Sequence, residues 1–256
     1  MKKFLTALLL TTAVLTLNGC ATKPTDPDEL AIYEQNNDPM EPMNRTTHAF
    51  NAFVWDYILF PVSRGYRAVV PEPVRAGVYN FFANVKQPVY LMNAVFQGNW
   101  ADAGNISKRF TANTFLGFLG FIDVAGHMKI GNPENDFGQT LGTWGVPEGP
   151  YFVIPILGPS SVRDTAGEAV DAVADPLGWA TWSAPWVFTY SRFTAEGVEE
   201  YDHKIDMLNN IRRGSTDEYA TLRTMYKQLR AQKVGGKETD APKDYEFSFD
   251  IEEEDE

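Results

Sequence analysis

Residue types that could do chemistry are few in this chain of 256 residues, and their spacing forms no catalytic motif. The three histidines, His48, His127 and His203, show no HExxH or other metal-ligand spacing. The chain contains no Gly-x-Ser-x-Gly elbow, P-loop or dinucleotide-binding fingerprint. Two serines lie near an acid between Ser160 and Asp164, but this pattern is typical of turns and helix caps. The sequence therefore gives no basis for an enzymatic activity, a metal ion or another cofactor.

Cys20 is the residue whose surroundings do indicate covalent chemistry, and it is the only cysteine of the chain. It follows a basic start and the apolar run of residues 4–17, which is shorter than the about 20 residues of a membrane-spanning helix and is typical of an export signal. Residues 17–20, Leu-Asn-Gly-Cys, resemble the bacterial lipobox, whose cysteine is acylated and becomes the mature N-terminus. We therefore predict a signal peptide at residues 1–19 and lipidation of Cys20. The alternative is a plain cleaved signal with an incidental cysteine.

The residue after the cysteine and the distribution of charge indicate where the protein acts. In Gram-negative lipoproteins, an aspartate directly after the cysteine favours retention in the inner membrane, and here that residue is Ala21. We therefore expect an outer-membrane location. The chain has 34 acidic and 22 basic side chains, and the acids concentrate in segment 238–256, which is typical of a disordered, solvated tail. Because no basic patch is available to neutralise phosphates, nucleic acid is not an expected partner.

An apolar run at residues 115–125 is interrupted by Gly117 and Gly120. With 11 residues, it is too short to cross a bilayer core of roughly 30 Å. Each glycine would cost a helix interior about 1 kcal/mol relative to alanine, whereas glycine suits a sharp bend or a close backbone approach. We therefore interpret the run as a hinge or a re-entrant apolar loop. A buried core segment with tight turns is the alternative.

A second unusual region, residues 176–193, is rich in aromatic side chains. It contains Trp179, Trp182 and Trp186, which are three of the six tryptophans of the chain. Aromatic rings with a polar edge favour the boundary between hydrocarbon and lipid headgroups, and Pro185 would divide the region into two short limbs. The sequence therefore predicts an amphipathic hairpin at the membrane interface. The alternative is that these rings pack in the protein core.

The remaining sequence predicts a mostly helical domain at residues 38–234, between a lipidated N-terminus and linker at 20–37 and the acidic tail at 235–256. Apolar residues recur at helical spacing, and prolines, glycines and short polar side chains mark where helices begin and end. The predicted helix starts are Asn44, residues 71–73, Pro88, Ala101, Asp164, Thr194 and the capping box of residues 215–218, and Gly98 is a predicted helix stop. The sequence shows no signal for a large sheet.

Four separated blocks of sequence resemble the MlaA/VacJ family of outer-membrane phospholipid-transport lipoproteins. They are DPMEPMNR at residues 38–45, FIDVAG at 121–126, FGQTLGTWGVPEGPY at 137–151 and LGPSSVRD at 157–164. The resemblance covers residues 38–233 and is specific because all four blocks occur in the family's order. The chain departs from the usual lipobox at Asn18, which bears on the efficiency of anchoring.

The resemblance implies a ring-shaped, helical protein that lies in the inner leaflet of the outer membrane beside trimeric porins. Its amphipathic channel would let mislocalised phospholipid leave the outer leaflet towards a periplasmic lipid carrier of the Mla type, which maintains lipid asymmetry. Two other functions stay open. One is a lipid-modifying enzyme, for which the sequence offers no nucleophile and base. The other is a structural lipoprotein that braces porins or the envelope without moving lipid.

The matched blocks and the apolar run also contain the candidate channel or gate residues. These are Asn44, Arg45, Gly117, Gly120, Arg163 and Asp164. The two glycines would let the loop beside the channel bend. For the four polar residues, the alternative is a helix cap or a buried ion pair.

Overall fold

The structure is a computed structural model that describes residues 25–26, 38–181 and 183–235. The predictions for Cys20, the signal peptide, most of the linker, Trp182 and the acidic tail from residue 236 fall outside the described residues and stay predictions. Within the described ranges the chain forms ten α-helices and one two-stranded hairpin, which confirms the mostly helical fold.

The helices account for most of the described chain. In chain order they are α1 (Glu41–Val54), α2 (Phe60–Val69), α3 (Glu72–Phe96), α4 (Trp100–Phe115), α5 (Val124–His127), α6 (Phe137–Thr143), α7 (Val162–Ala174), α8 (Pro176–Ala180), α9 (Trp186–Gly214) and α10 (Glu218–Gly235). Between α6 and α7, strand β1 (Tyr151–Ile154) pairs antiparallel with β2 (Gly158–Ser161). Tyr151 lies opposite Ser161, and Ile154 lies opposite Gly158.

A five-residue π-helical turn, Trp55–Leu59, joins α1 to α2. Pro61 lies in the first turn of α2. Proline has no backbone N–H and its ring crowds the carbonyl four residues earlier. The wider turn accommodates this crowding, so the chain continues as a helix where a regular α-helix would end.

The predicted helix start at Pro88 is wrong, because Pro88 lies inside α3, which runs without interruption for 25 residues. Ala94 of α3 packs with Ala103 and Ile106 of α4 in a buried cluster. The burial of this face offsets the roughly 3 kcal/mol that proline costs in a helix interior. The predicted stop at Gly98 is confirmed, since this glycine follows the end of α3 with φ of +70°.

Two predicted caps are wrong because the helix begins one turn earlier. Helix α1 begins at Glu41 with Met40 as its N-cap, so Asn44 is an interior and fully buried residue. Helix α7 is capped by Ser161, whose hydroxyl accepts a 3.2 Å hydrogen bond from the backbone N–H of Asp164. The capping role expected near Ser160 and Ser161 is therefore confirmed, while the side chain of Asp164 makes a tertiary contact instead.

The two C-terminal helices also differ from their predicted starts. Helix α9 begins at Trp186, directly after Pro185, and not near Thr194. The second limb of the predicted aromatic hairpin is therefore the start of a 29-residue helix and not a short limb. At the next junction Asp217, and not Ser215, accepts the backbone N–H of Ala220 at 3.1 Å.

The interior is mostly polar. Among the described residues, 19 buried side chains are polar or charged and 11 are hydrophobic. The hydrophobic ones include the α3–α4 cluster and a second cluster of Tyr151, Val153 and Tyr219, where the hairpin meets α10. Hydrogen bonds and ion pairs therefore hold much of the interior together. No helix in the described part of the chain is both long enough and apolar enough to cross a membrane.

Candidate functional site

Three neighbouring cavities along α9 form the candidate functional site. The middle cavity has a volume of about 120 Å³ and lies between α3, α9 and the loop before α6. Its charged lining residues are Lys86, Glu134, Glu196, Glu200 and Lys204. Pockets that enclose a whole drug-sized ligand measure about 300–1,000 Å³. The middle cavity therefore suits a small polar or charged group.

An apolar cavity of about 440 Å³ adjoins the middle cavity on the side of the hairpin. Its apolar lining residues include Trp55, Leu59, Leu157, Val198, Leu208 and Leu222. Glu200 and Lys204 line both cavities. A polar space and an apolar space therefore meet at one pair of charged residues, which is the arrangement that an amphipathic ligand requires.

A third cavity, of about 540 Å³, adjoins the middle cavity at Tyr79, which lines both. Its wall contains the buried carboxylate of Asp202. This carboxylate accepts hydrogen bonds from the Ser63 hydroxyl at 2.6 Å and from the guanidinium of Arg75 at 2.5 Å, and it is also paired with Arg67. Burial opposes ionisation, but these partners hold the pKa of Asp202 below its usual value. The ion pairs fix α9 against α2 and α3.

Glu200 and Lys204 form the junction between the polar and the apolar cavity. Lys204 Nζ lies 2.8 Å from one carboxylate oxygen of Glu200, and Lys86 Nζ lies 3.9 Å from the other. Burial opposes ionisation of Glu200, but the two ammonium groups hold its pKa below the usual value. All three side chains are about half exposed. They are therefore accessible from the cavity.

The apolar run that the sequence predicts to bend forms an exposed loop after α4. Phe115 and Phe118 are 79% and 76% exposed, which excludes the alternative of a buried core segment. Phe118 and Leu119 have φ of +53° and +59°, a conformation that is rare for bulky residues and costs free energy. The loop is therefore held in place by contacts elsewhere.

A polar cluster at the base of the loop supplies those contacts. The buried Arg109 donates two hydrogen bonds to the carboxylate of Asp123, at 2.9 and 3.0 Å. Asn113 donates to the same carboxylate at 2.9 Å and accepts the backbone N–H of Ala125 at 2.8 Å. Partial burial opposes ionisation of Asp123, but the backbone N–H of Gly126 together with Asn113 and Arg109 holds its pKa below the usual value. The cluster joins both ends of the loop to α4.

Gly117 and Gly120 are buried beneath the exposed side chains of this loop. A Cβ atom on residue 117 would lie 2.6 Å from the carbonyl oxygen of Asn113, and one on residue 120 would lie 2.8 Å from Cγ of Asn84. Gly120 also has φ of +100°. Both glycines therefore permit a close backbone approach in the conformation observed, and their role as a hinge stays a prediction.

Asn44 lies at the joint between α1 and the hairpin. Its side-chain amide donates to the carbonyl oxygen of Tyr151 at 3.2 Å and accepts the backbone N–H of Val153 at 3.0 Å. Two turns further along α1, Asn51 repeats this pattern with Ile154 and Ile156, at 3.0 and 2.6 Å. The two amides therefore bind α1 to the free edge of β1.

The other polar candidates also lie at joints between elements. Arg45 is half exposed and pairs with Asp217 at 2.8 Å, which connects α1 to the start of α10. Asp164 is buried, lies beside Arg163 and accepts a 2.5 Å hydrogen bond from Tyr226 of α10. Asn44, Arg45, Arg163 and Asp164 do not line any of the three cavities described above. The structure thus places them as connectors, and their assignment to a channel or gate stays a prediction.

Trp179 is the only member of the predicted aromatic triplet whose side chain the structure describes. It lies on α8, is 69% exposed, and donates from Nε1 to the carbonyl oxygen of Val173 at 2.6 Å. A core position is therefore excluded for this ring. Trp182 and the side chain of Trp186 lie outside the described part of the structure.

Sequence analysis missed the charged residues of the middle cavity. The available signal was weak: Glu200 and Lys204 are spaced i, i+4 on α9, which by itself is typical of a solvated helix face. Lys86 is the only lysine within the 25 residues of α3 and lies among apolar and aromatic residues. Within the described ranges, no group of His, Cys, Asp and Glu side chains could hold a metal ion.

Comparisons with known proteins agree with the resemblance found in the sequence. The profile of the family described as MlaA lipoprotein matches residues 36–233. The proteins named intermembrane phospholipid transport system lipoprotein MlaA from Shigella flexneri and from Escherichia coli K12 are each 38% identical over 232 residues, or 89% of this chain and 87% of the relative. A solved chain from work on the structural basis for maintenance of bacterial outer membrane lipid asymmetry is 35% identical, with a TM-score of 0.67 and coverage of 77% of this chain and 98% of its own. The chain belongs to the MlaA lipoprotein family.

Proposed function

We propose that this chain is an outer-membrane lipoprotein that removes mislocalised phospholipid from the outer leaflet and passes it to a periplasmic carrier of the Mla type. Its relatives carry the name of an intermembrane phospholipid transport system, and the match extends over nearly their whole length. By this proposal Cys20 carries the lipid anchor, and a ring of helices lies in the inner leaflet beside a trimeric porin. Transport would thereby maintain the lipid asymmetry between the two leaflets of the outer membrane.

The observation that carries the proposal is the distribution of polar and apolar side chains, which is the reverse of that in a soluble protein. Buried positions are mostly polar, while many large apolar side chains are exposed. On α1 and the following turn they are Phe50, Phe53, Tyr57 and Ile58, and in the loop after α4 they are Phe115, Leu116, Phe118, Leu119 and Ile122. Soluble monomers rarely expose large continuous apolar patches, and such patches mark membrane or partner surfaces. A protein placed in a lipid leaflet would cover this surface with acyl chains.

The exposed apolar surface is more than attachment requires. Each buried methylene of an acyl chain contributes about 0.8 kcal/mol, and two or more chains hold a protein stably at a membrane. Lipidation of Cys20 would therefore attach the chain without help from the apolar loop. The additional apolar surface therefore supports insertion of the protein to a defined depth in the leaflet. At that depth the cavities beside α9 would be open to lipid.

The cavities along α9 give the proposed route for the phospholipid. A headgroup fits the polar middle cavity, and an acyl chain fits the apolar cavity that shares Glu200 and Lys204 with it. Charged groups that move through such a site keep polar partners throughout, which avoids the cost of burying them unpaired. The two cavities thus support passage of a whole amphipathic molecule.

A transfer assay with a cavity-filling variant tests the proposal. The lipidated protein is reconstituted into vesicles that contain a labelled phospholipid, and the transfer of label to a soluble carrier of the Mla type is measured. Ala83 lines the middle cavity on α3, so Ala83→Trp should fill much of it and reduce the transfer rate at least several-fold. Ala101→Trp adds the same bulk at an exposed position of α4 and should transfer at the wild-type rate.

Each alternative function predicts a different result in the same assay. A lipoprotein that only braces the envelope would show no carrier-dependent transfer in either variant or in the wild type. A lipid-modifying enzyme would release fatty acid or lysolipid from the labelled substrate. Equal transfer by Ala83→Trp and wild type would exclude the middle cavity as the route.

A further inference from the structure

Resting on the proposed transport function, we infer that the middle cavity selects a zwitterionic aminophospholipid headgroup, of the phosphatidylethanolamine type, over an anionic headgroup such as phosphatidylglycerol. The inference concerns the headgroup alone. Its basis is the charge pattern of the cavity, an unused hydrogen-bond acceptor in its wall, and the apolar cavity that continues from it.

The middle cavity presents both signs of charge within a small volume. The ammonium groups of Lys86 and Lys204 flank Glu200 at its junction with the apolar cavity. Glu134 and Glu196 line the same cavity, and the cations they pair with, on Lys233 and Arg192, are not among its lining residues. A ligand with one phosphate and one ammonium can pair with both sets at once. An anionic headgroup can pair only with the lysines, and there it competes with Glu200.

Gln87 supplies an independent observation in the wall of this cavity. Its side chain is 3% exposed, and its one hydrogen bond among the described residues is a long donation of 3.4 Å to Asn132. Its Oε1 atom is buried without a hydrogen-bond partner in the described structure. A buried acceptor without a partner has lost its hydrogen bonds to water without replacing them, which destabilises the fold. An ammonium group carries three N–H donors, and a rotation of the Gln87 amide towards the cavity that it lines would let one of them supply the missing bond.

The shared residues of the two cavities indicate a lipid and not a free amine. Glu200 and Lys204 form part of the walls of both the polar cavity and the apolar cavity of about 440 Å³. A phosphate placed near Lys204 would therefore have its glycerol and acyl chains directed along apolar side chains such as Val198 and Leu208. A small soluble amine would leave this apolar wall uncovered.

A competition experiment tests the inference. The full-length lipidated protein is incubated in detergent micelles with equal amounts of phosphatidylethanolamine and phosphatidylglycerol, and the lipid that remains after repurification is quantified by mass spectrometry. The wild type should retain phosphatidylethanolamine over phosphatidylglycerol by about threefold, the size expected of one charge interaction in a partly solvated site. Lipid bound loosely to the outer surface should be the same in every variant.

Two variants and one control assign the preference to the cavity. Glu134→Lys reverses one carboxylate of the wall and should remove or invert the preference. Gln87→Leu removes the unused acceptor at similar size and should lower phosphatidylethanolamine retention without lowering phosphatidylglycerol. Lys108→Gln removes an exposed lysine of α4 that does not line the cavity and should leave the ratio unchanged.

The outcomes separate the inference from the function on which it rests. Retention of both lipids in equal amounts by the wild type, or a ratio that neither variant changes, would overturn the headgroup inference alone. Retention of no phospholipid at all would overturn the proposed transport function and the inference together.

Discussion

Gly117 is closely packed in the structure, and whether it also provides the flexibility of a hinge stays a prediction. It lies beneath an exposed loop, and a methyl group at its Cα would meet the backbone of Asn113. The sequence draws attention to this residue, because glycine interrupts an apolar run mainly where the backbone bends or approaches another surface closely. The sequence does not distinguish a bend from a close approach, because the distinction depends on which backbone segment packs against Gly117. Carbonyl oxygens of Asn113 and Ile122 occupy that place.

An alanine substitution at each of two glycines tests this assignment. Gly117→Ala should lower the free energy of unfolding by about 1–3 kcal/mol, the usual cost of overpacking. Gly104→Ala, in the interior of α4 with no atom near the added methyl, should raise it by about 0.5–1 kcal/mol. Both values come from urea unfolding in one detergent. A Gly117→Ala protein that is as stable as wild type but slow in lipid transfer would support the hinge hypothesis instead.

Asn44 and Asn51 mark the limit of prediction for single residues. The sequence places Asn44 in a block shared with the MlaA/VacJ family but assigns it to a helix cap, a channel or an ion pair. Its partners, Tyr151 and Val153, lie more than 100 residues away in the chain. No local pattern reveals that two side-chain amides, seven positions apart on one helix, will bind the free edge of a strand.

The hairpin illustrates the same limit for elements. Its strands have four residues each and are separated by Pro155, Ile156 and Leu157, so they give no sustained alternation of apolar and polar side chains. Ile156 has φ of +71°, which is unusual for a β-branched residue. The α-helices, in contrast, follow from periodic apolar residues, and most of them are predictable. Their exact starts are not, because residues such as Asn44 and Asp164 are used in tertiary contacts.

At the same scale, Asp202 connects three helices and makes their packing dependent on pH. Its folded-state pKa is held low by Ser63, Arg67 and Arg75, whereas an unfolded aspartate has a pKa of about 3.9. The stabilisation is therefore complete above that unfolded value and is lost as the pH falls below it towards the folded pKa. The neighbouring Asp206 also faces Arg67 but is largely exposed.

The variant Asp202→Asn tests this contribution. It should destabilise the protein by about 3–5 kcal/mol at pH 7, because Arg67 and Arg75 lose the charge of their buried partner. The difference from wild type should shrink as the pH is lowered below about 3.9, since the wild type then loses the same interaction. Unfolding titrations at several pH values measure it, with Asp206→Asn as the exposed control. A difference that does not change with pH would contradict the assignment.

For the whole molecule, the described tryptophans report how the fold lies in a membrane. Trp100 and Trp179 are 70% and 69% exposed, while Trp55 is buried at 7%. The sequence predicts the membrane interface from the aromatic segment alone. It does not reveal that the faces of α1 and the loop after α4 also point outwards. The outward face of each helix is known only when the structure shows which of its faces packs against the polar interior.

Variants that retain one tryptophan each measure this orientation. In vesicles whose lipids carry quenchers on their acyl chains, Trp179 fluorescence should be quenched strongly and Trp55 fluorescence little, because lipid can contact only exposed rings. Aqueous acrylamide should have the smaller effect on Trp179. Strong quenching of Trp179 by acrylamide and none by lipid would place this surface in water and contradict the proposed insertion.

The polar interior also determines how the stability of the fold varies with temperature. Exposure of apolar surface on unfolding raises the heat capacity, while exposure of polar surface lowers it. This chain buries 19 polar or charged side chains against 11 hydrophobic ones among its described residues, so its unfolding should give a small increase in heat capacity for its size. A small increase flattens the curve of free energy against temperature. Such a fold would keep nearly constant stability on cooling, when the hydrophobic contribution that holds together most domains of this size grows weaker.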